Sequence, residues 1–269
     1  RLGVARKART MSNRTRLIQN LSEAFGSLGR LVDGLTAEQW KVQSLCPAWT
    51  VQGVLVHVTT IEEALIGWRP GGDHPFAAMG AIAAELGTLS PDQLVARYHA
   101  AVAARLAELA EMSDEEFDAP SFTPVGQATY GRFMAIRVFD TWVHERDISV
   151  PLGIELQHGG PAAEMSVDEV EGSIGYIVGK KIGLTEGKSI AFEVTGATPR
   201  RIMVKVDGRA TRVSELADPT VTVTADTLTF MQLACGRIDP EQAIAAGRIT
   251  WTGDNEWGGR AARNLAFTM

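Results

Sequence analysis

The stretch FDTWVHERDISVPLG, Phe139 to Gly153, marks the point at which the chain changes character. On its left lies the end of a helix expected over roughly Thr129 to Ser149, and Pro151 with Gly153 halts that pattern. Working upstream, Leu17, Leu21, Phe25, Leu28, Leu31 and Val32 recur at three and four, which predicts a helix from Asn13 to Leu35 that ends near Gly34. A loop follows, through Trp40 to Trp49. Thr50 is a suitable N-cap for a second helix, whose stripe of Val51, Val54, Leu55, Val58, Ile61, Leu65 and Trp68 runs to Pro70. After a Gly-rich connection to about Gly80, Ser90 and Pro91 open a third helix, which stops before an acidic loop, Asp114 to Asp118. Four apolar stripes with moderate connections predict an antiparallel four-helix bundle over residues 11–150.

Downstream of Val150 the period changes. Gly159, Gly160 and Pro161 continue a linker-like stretch, and a helix is expected near Val167 to Ile182. Ser189 to Val194, Arg201 to Val206 and Thr220 to Thr224 alternate as half-buried strands do, with Val206-Asp207-Gly208 as a turn. Helical runs at Leu228 to Cys235, Pro240 to Ala246 and Trp257 to Phe267 complete a small α+β domain over residues 151–269.

Composition agrees with two domains. The 269 residues exceed what a minimal domain needs, and 45% hydrophobic with 22% charged residues supports a buried core. A net charge of −6 without a basic half excludes nucleic acid as the expected partner. The longest uncharged stretch, Val42 to Ile61, is broken by polar residues and Pro47, so no membrane span is expected. Two distant cysteines, Cys46 and Cys235, imply no disulfide framework and fit a reducing cytoplasm. No secretory leader pattern opens the chain, and Met11 is the expected start, with Arg1 to Thr10 and its four basic residues set aside from the fold.

The chemistry concentrates on the fourth helix. Asp140 and His144 stand at i and i+4, on one face, a spacing that lets a carboxylate and an imidazole share a metal. His57, inside the second helix, is the third candidate ligand, and two imidazoles with one carboxylate leave positions open as in a catalytic site. Spacing alone is equally satisfied by an Asp140–His144 ion pair with Arg137 neutralising Asp140, and by His57 as a core histidine. His74, His99 and His158 need only solvated roles.

The segment CPAWTVQGVLVHV, Cys46 to Val58, with Glu62 and Glu63 after it, resembles the second-helix signature of the DinB-like metal-binding bundles, and DTWVHERDI, Asp140 to Ile148, resembles their fourth-helix motif. More narrowly, the chain resembles the mycothiol-dependent maleylpyruvate isomerase family, in which such a bundle precedes a sterol-carrier-protein-like α+β domain. LACGRIDP, Leu233 to Pro240, and ITWTGD, Ile249 to Asp254, match the closing pattern of that family. The resemblance implies metal ligands at His57, Asp140 and His144, with zinc as the expected metal and mycothiol as the thiol cosubstrate. The middle ligand in the family is more often Glu, so Asp140 is a departure that shortens the side chain by one methylene. It also implies that Arg237 contacts the substrate; as a plain structural residue Arg237 would instead pair with Asp239.

The expected function is therefore a metal- and thiol-dependent enzyme acting on a small electrophile, an isomerase or, if the adduct is retained, an S-transferase, working as monomer or homodimer. A different class of reading is a non-enzymatic protein that binds an apolar ligand along Phe230, Met231 and Leu233, or a metal or thiol sensor. Cys235 is expected in the core and Cys46 as a loop residue.

Overall fold

The computed structural model describes residues 12–72 and 75–268. The expected start at Met11, the segment before it and the loop placement of His74 lie outside them. By its internal contacts the described chain groups into two compact units, residues 12–33 with 55–138, and residues 34–54 with 139–268.

The first unit is helical. α1 (Asn13–Asp33) and α4 (Pro91–Glu111) pack through buried Leu21, Phe25, Leu28 and Leu94, and the Tyr98 hydroxyl donates to the Phe25 carbonyl at 2.7 Å. The predicted start of α4 is a full capping box between Ser90 and Gln93. α2 (Val51–Leu65) stops short of Pro70, because Gly67 takes a left-handed φ of 74° that a helix cannot continue through. Trp68 consequently leaves the helical stripe but stays buried, against Tyr130 and Phe133 of α6 (Tyr130–Ser149).

Four short elements lie between the expected helices. α3 (Met79–Leu86) starts where the Gly-rich connection ends. The acidic run is α5 (Asp114–Asp118), because Ser113 and Glu116 form a capping box and three carboxylates suit a helix N-terminus. β1 (Pro120–Thr123) and β2 (Gly126–Thr129) make a hairpin ahead of α6.

The second unit carries a five-stranded sheet in the order β5-β4-β3-β6-β7. Its strands are β3 (Ser189–Thr195), β4 (Arg200–Asp207), β5 (Arg209–Val213), β6 (Val221–Asp226) and β7 (Ile249–Gly253). Only β3 and β6 run parallel; the other pairs are antiparallel. Central β3 buries Ile190, Ala191 and Phe192 in succession, as a strand covered on both faces must. The helices are α7 (Pro161–Tyr176), which runs into a π-helical turn at Ile177–Ile182, then α8 (Thr227–Ala234), α9 (Pro240–Ala245) and α10 (Asn255–Arg263). Asp226, Asp239 and Asp254 cap the last three. Expected strands β3, β4 and β6 are present, and β5 and β7 add the two edges. A helical N-terminal region thus precedes an α+β region. No helix among the described residues is long and apolar enough to cross a membrane.

Candidate metal centre

From Thr141 to Ser149 every residue of α6 is buried, so its charged side chains cannot be satisfied by water and must find partners in the fold. Arg146 does so by donating to the Trp142 and Gln157 carbonyls and pairing with Glu145 at 2.7 Å, while its guanidinium lies 3.6 Å from the Trp142 ring centre. Burial lowers its pKa to about 10, against the opposing pull of Glu145.

His144, on the same buried stretch, is held at both nitrogens. Nδ1 lies 2.8 Å from Asp147 Oδ2, and Nε2 lies 3.5 Å from Asp140 Oδ1. Burial alone would lower its pKa, but Asp140, Asp147 and Cys46 outweigh that and hold it well above the ordinary histidine value when no metal is bound. Asp147, 1% exposed, also accepts from Arg237 Nε at 2.9 Å. Burial raises the Asp147 pKa, and the His144, Arg237 and Cys46 contacts more than reverse this, leaving it lowered.

The loop before α2 supplies Cys46. Its shape is fixed by Gln43, whose Nε2 donates to the Ser44, Cys46 and Trp49 carbonyls, and by Ser44 Oγ, which accepts from Cys46 N. Leu45 N donates to the Asp147 carbonyl at 3.1 Å, which ties the loop to α6. Cys46 Sγ is thereby placed 3.1 Å from Asp147 Oδ2 and 3.9 Å from His144 Nδ1. Thr50 caps α2 as expected, accepting from Gly53 N.

Asp140 and His144 come together one turn apart on α6, with Oδ1 3.5 Å from Nε2, and His57 lies on α2. His57 and Asp140 are half-buried and His144 is buried. Two imidazoles and a carboxylate are the donor set that zinc takes in catalytic sites, and the His144 hydrogen bond to Asp147 is the usual support for a ligating histidine. These residues fit a metal.

Cys46, His144 and Asp147 lie within 4.8 Å of one another. A second cation there is disfavoured, because the Arg237 guanidinium already sits against Asp147 and would repel it. The 2.8 Å and 3.1 Å contacts are hydrogen-bond distances, with protons between the partners.

Arg137 donates through Nε to Glu62 at 2.7 Å. Arg237 pairs with Asp147 rather than Asp239, which instead caps α9; its Nη1 donates to the Cys235 carbonyl. Cys46 is more than a loop residue, a placement the sequence hides because its partners are about a hundred positions away. Cys235 is core as expected, and burial pushes its thiol up to about 12. Phe230, Met231 and Leu233 are each 3% exposed or less, with the Phe230 ring 6.0 Å from that of Phe192, so they pack as core.

Residues 21–149 match the family described as the mycothiol maleylpyruvate isomerase N-terminal domain, and residues 164–260 match the C-terminal domain of the same family. Among solved structures, the crystal structure of a mycothiol-dependent maleylpyruvate isomerase aligns with a TM-score of 0.62 at 18% identity, covering 90% of this chain and 93% of that one. A histidine-to-alanine mutant of that enzyme aligns equally well, with a TM-score of 0.62 at 18% identity over the same shares of the two chains. At that identity the likeness concerns the fold. No curated protein matches significantly. On the two domain matches, the chain belongs to the mycothiol maleylpyruvate isomerase family.

Proposed function

We propose that the protein is a zinc- and thiol-dependent isomerase that uses mycothiol, in the cytoplasm, to interconvert the cis and trans forms of a small electron-poor alkene acid such as maleylpyruvate. The observation that supports this reading is the Asp140–His144 pair on one face of α6, with the far nitrogen of His144 engaged by Asp147. These three residues would hold the metal. When bound, zinc would supply Lewis acidity that keeps an incoming thiol deprotonated at neutral pH.

The remaining work falls to the chain and the thiol. The thiol sulfur adds to one carbon of the conjugated double bond, whose π pair moves toward the adjoining carbonyl. Rotation about the resulting single bond, return of the pair and departure of the sulfur give the other isomer and regenerate the thiol. Arg237 has Nε on Asp147 and Nη1 on a carbonyl, while Nη2 makes no protein hydrogen bond among the described residues. It would use that remaining group to hold a substrate carboxylate. Trp142 and Val143 on α6 line a pocket together with Asp147 and Arg237 and would keep water from a substrate held there.

The test is metal analysis of purified wild type and His144→Ala, followed by assay of maleylpyruvate isomerisation with and without mycothiol. About one zinc per chain is expected in wild type, with loss of most of it and of thiol-dependent turnover in the variant. Equal zinc in the two proteins would overturn the ligand assignment.

A further inference from the structure

Asp147 has more partners than charge balance requires. Its carboxylate is 1% exposed, and the Arg237 guanidinium at 2.9 Å already neutralises it. It nevertheless also accepts from His144 Nδ1 at 2.8 Å and lies 3.1 Å from the Cys46 thiol. These donors come from three places in the chain: one turn earlier on α6, the loop before α2, and the turn after α8. The backbone reinforces the arrangement, since Leu45 N donates to the Asp147 carbonyl and Arg237 N to the Gln232 carbonyl at 2.7 Å. A carboxylate fixed from three directions can itself fix what it binds. The contact that leads from it toward Asp140 is the contact with His144.

With a metal in place of its second proton, the His144 imidazole has one proton and two ring nitrogens on which to place it. An acceptor on Nδ1 keeps that proton there and leaves the Nε2 lone pair for the ion. Without Asp147 the ring loses both that tautomer preference and its rotational anchor. Truncating such a carboxylate elsewhere costs about 10–100-fold in metal affinity.

We propose that Asp147 is a positioning residue of the metal centre, held by Arg237 and Cys46, which locks His144 as the Nδ1–H tautomer with Nε2 presented to the ion. This inference rests on the metal reading above and adds a residue outside the three ligands. Asp147 does not touch the ion; it acts through His144.

The experiment measures zinc affinity by competition with a chromophoric chelator in wild type, Asp147→Asn and Arg237→Ala. The two variants break the same buried ion pair and both lower the melting temperature, but only Asp147→Asn alters the acceptor facing His144. Affinity should fall about 10–100-fold in Asp147→Asn and clearly less in Arg237→Ala, where Cys46 and the backbone still hold the Asp147 carboxylate against His144. Equal affinity in wild type and Asp147→Asn, or an equal loss in both variants, would make Asp147 a stability residue only and overturn the inference. Should Asp147→Asn fail to fold, long-range proton–nitrogen NMR of the zinc-loaded wild type decides. A proton on His144 Nδ1 is expected, and a bare Nδ1 refutes the inference. Wild type that binds no zinc at all would instead overturn the metal reading itself, so the two failures are distinct.

Discussion

At the scale of single residues, Arg237 divides its guanidinium between a structural anion and, on our reading, the substrate. Removing it takes one charge-assisted hydrogen bond from a bound carboxylate, worth about 1.5–3 kcal/mol. Arg237→Ala should therefore raise KM for maleylpyruvate about tenfold or more, with zinc still bound; steady-state kinetics on the metal-loaded variant checks this. An unchanged KM would confine Arg237 to supporting Asp147. The three ligand candidates rest on the i, i+4 pair on a helix together with the resemblance of two motifs. Asp147 and Cys46 were not, because HERD from His144 to Asp147 reads as a solvated charged face, whereas all four residues are buried. Charge type in a sequence does not report whether water or the fold supplies the partner.

Between elements, one carboxylate fastens three helices. Glu62 of α2 is 2% exposed; it accepts from Arg137 of α6 at 2.7 Å and lies 3.6 Å from Arg105 of α4, which is fully buried. Arg105 also reaches the Leu65 carbonyl, Glu108 and the Tyr130 hydroxyl. Substituting Glu62→Ala takes the shared carboxylate from two buried guanidinium groups, which costs about 3 kcal/mol. Urea unfolding should show that loss as a lower midpoint; a change under about 1 kcal/mol would mean that the arginines find other partners. The long helices were readable because their apolar stripes repeat over several turns. The β1–β2 hairpin and edge strand β5 were not, since four- and five-residue strands with polar, exposed faces carry too little alternation to stand out.

For the molecule as a whole, a mainly helical region precedes Pro151 and a mixed one follows it, while packing follows a different grouping. The unit containing the sheet also includes residues 34–54 and α6 from Phe139 onward. Within it, Phe139 meets Phe267, Arg146 holds the Gln157 carbonyl, and Asp147 binds Arg237. A fragment of residues 151–269 lacks the first member of each of these pairs. It should melt broadly and at lower temperature than the full chain when followed by near-UV circular dichroism. A sharp transition matching that of the full chain would show that the sheet region is self-sufficient.

The same interleaving sets a timetable for biosynthesis. Cys46 leaves the ribosome long before Arg237 has been made, a gap of roughly 10–40 s at ordinary elongation rates. During that interval the loop that carries the thiol has none of its eventual neighbours from the sheet region. Completion of the Asp147 environment thus waits for Arg237, and a nascent chain arrested before His144 carries a cysteine without the partners that meet it in the finished protein.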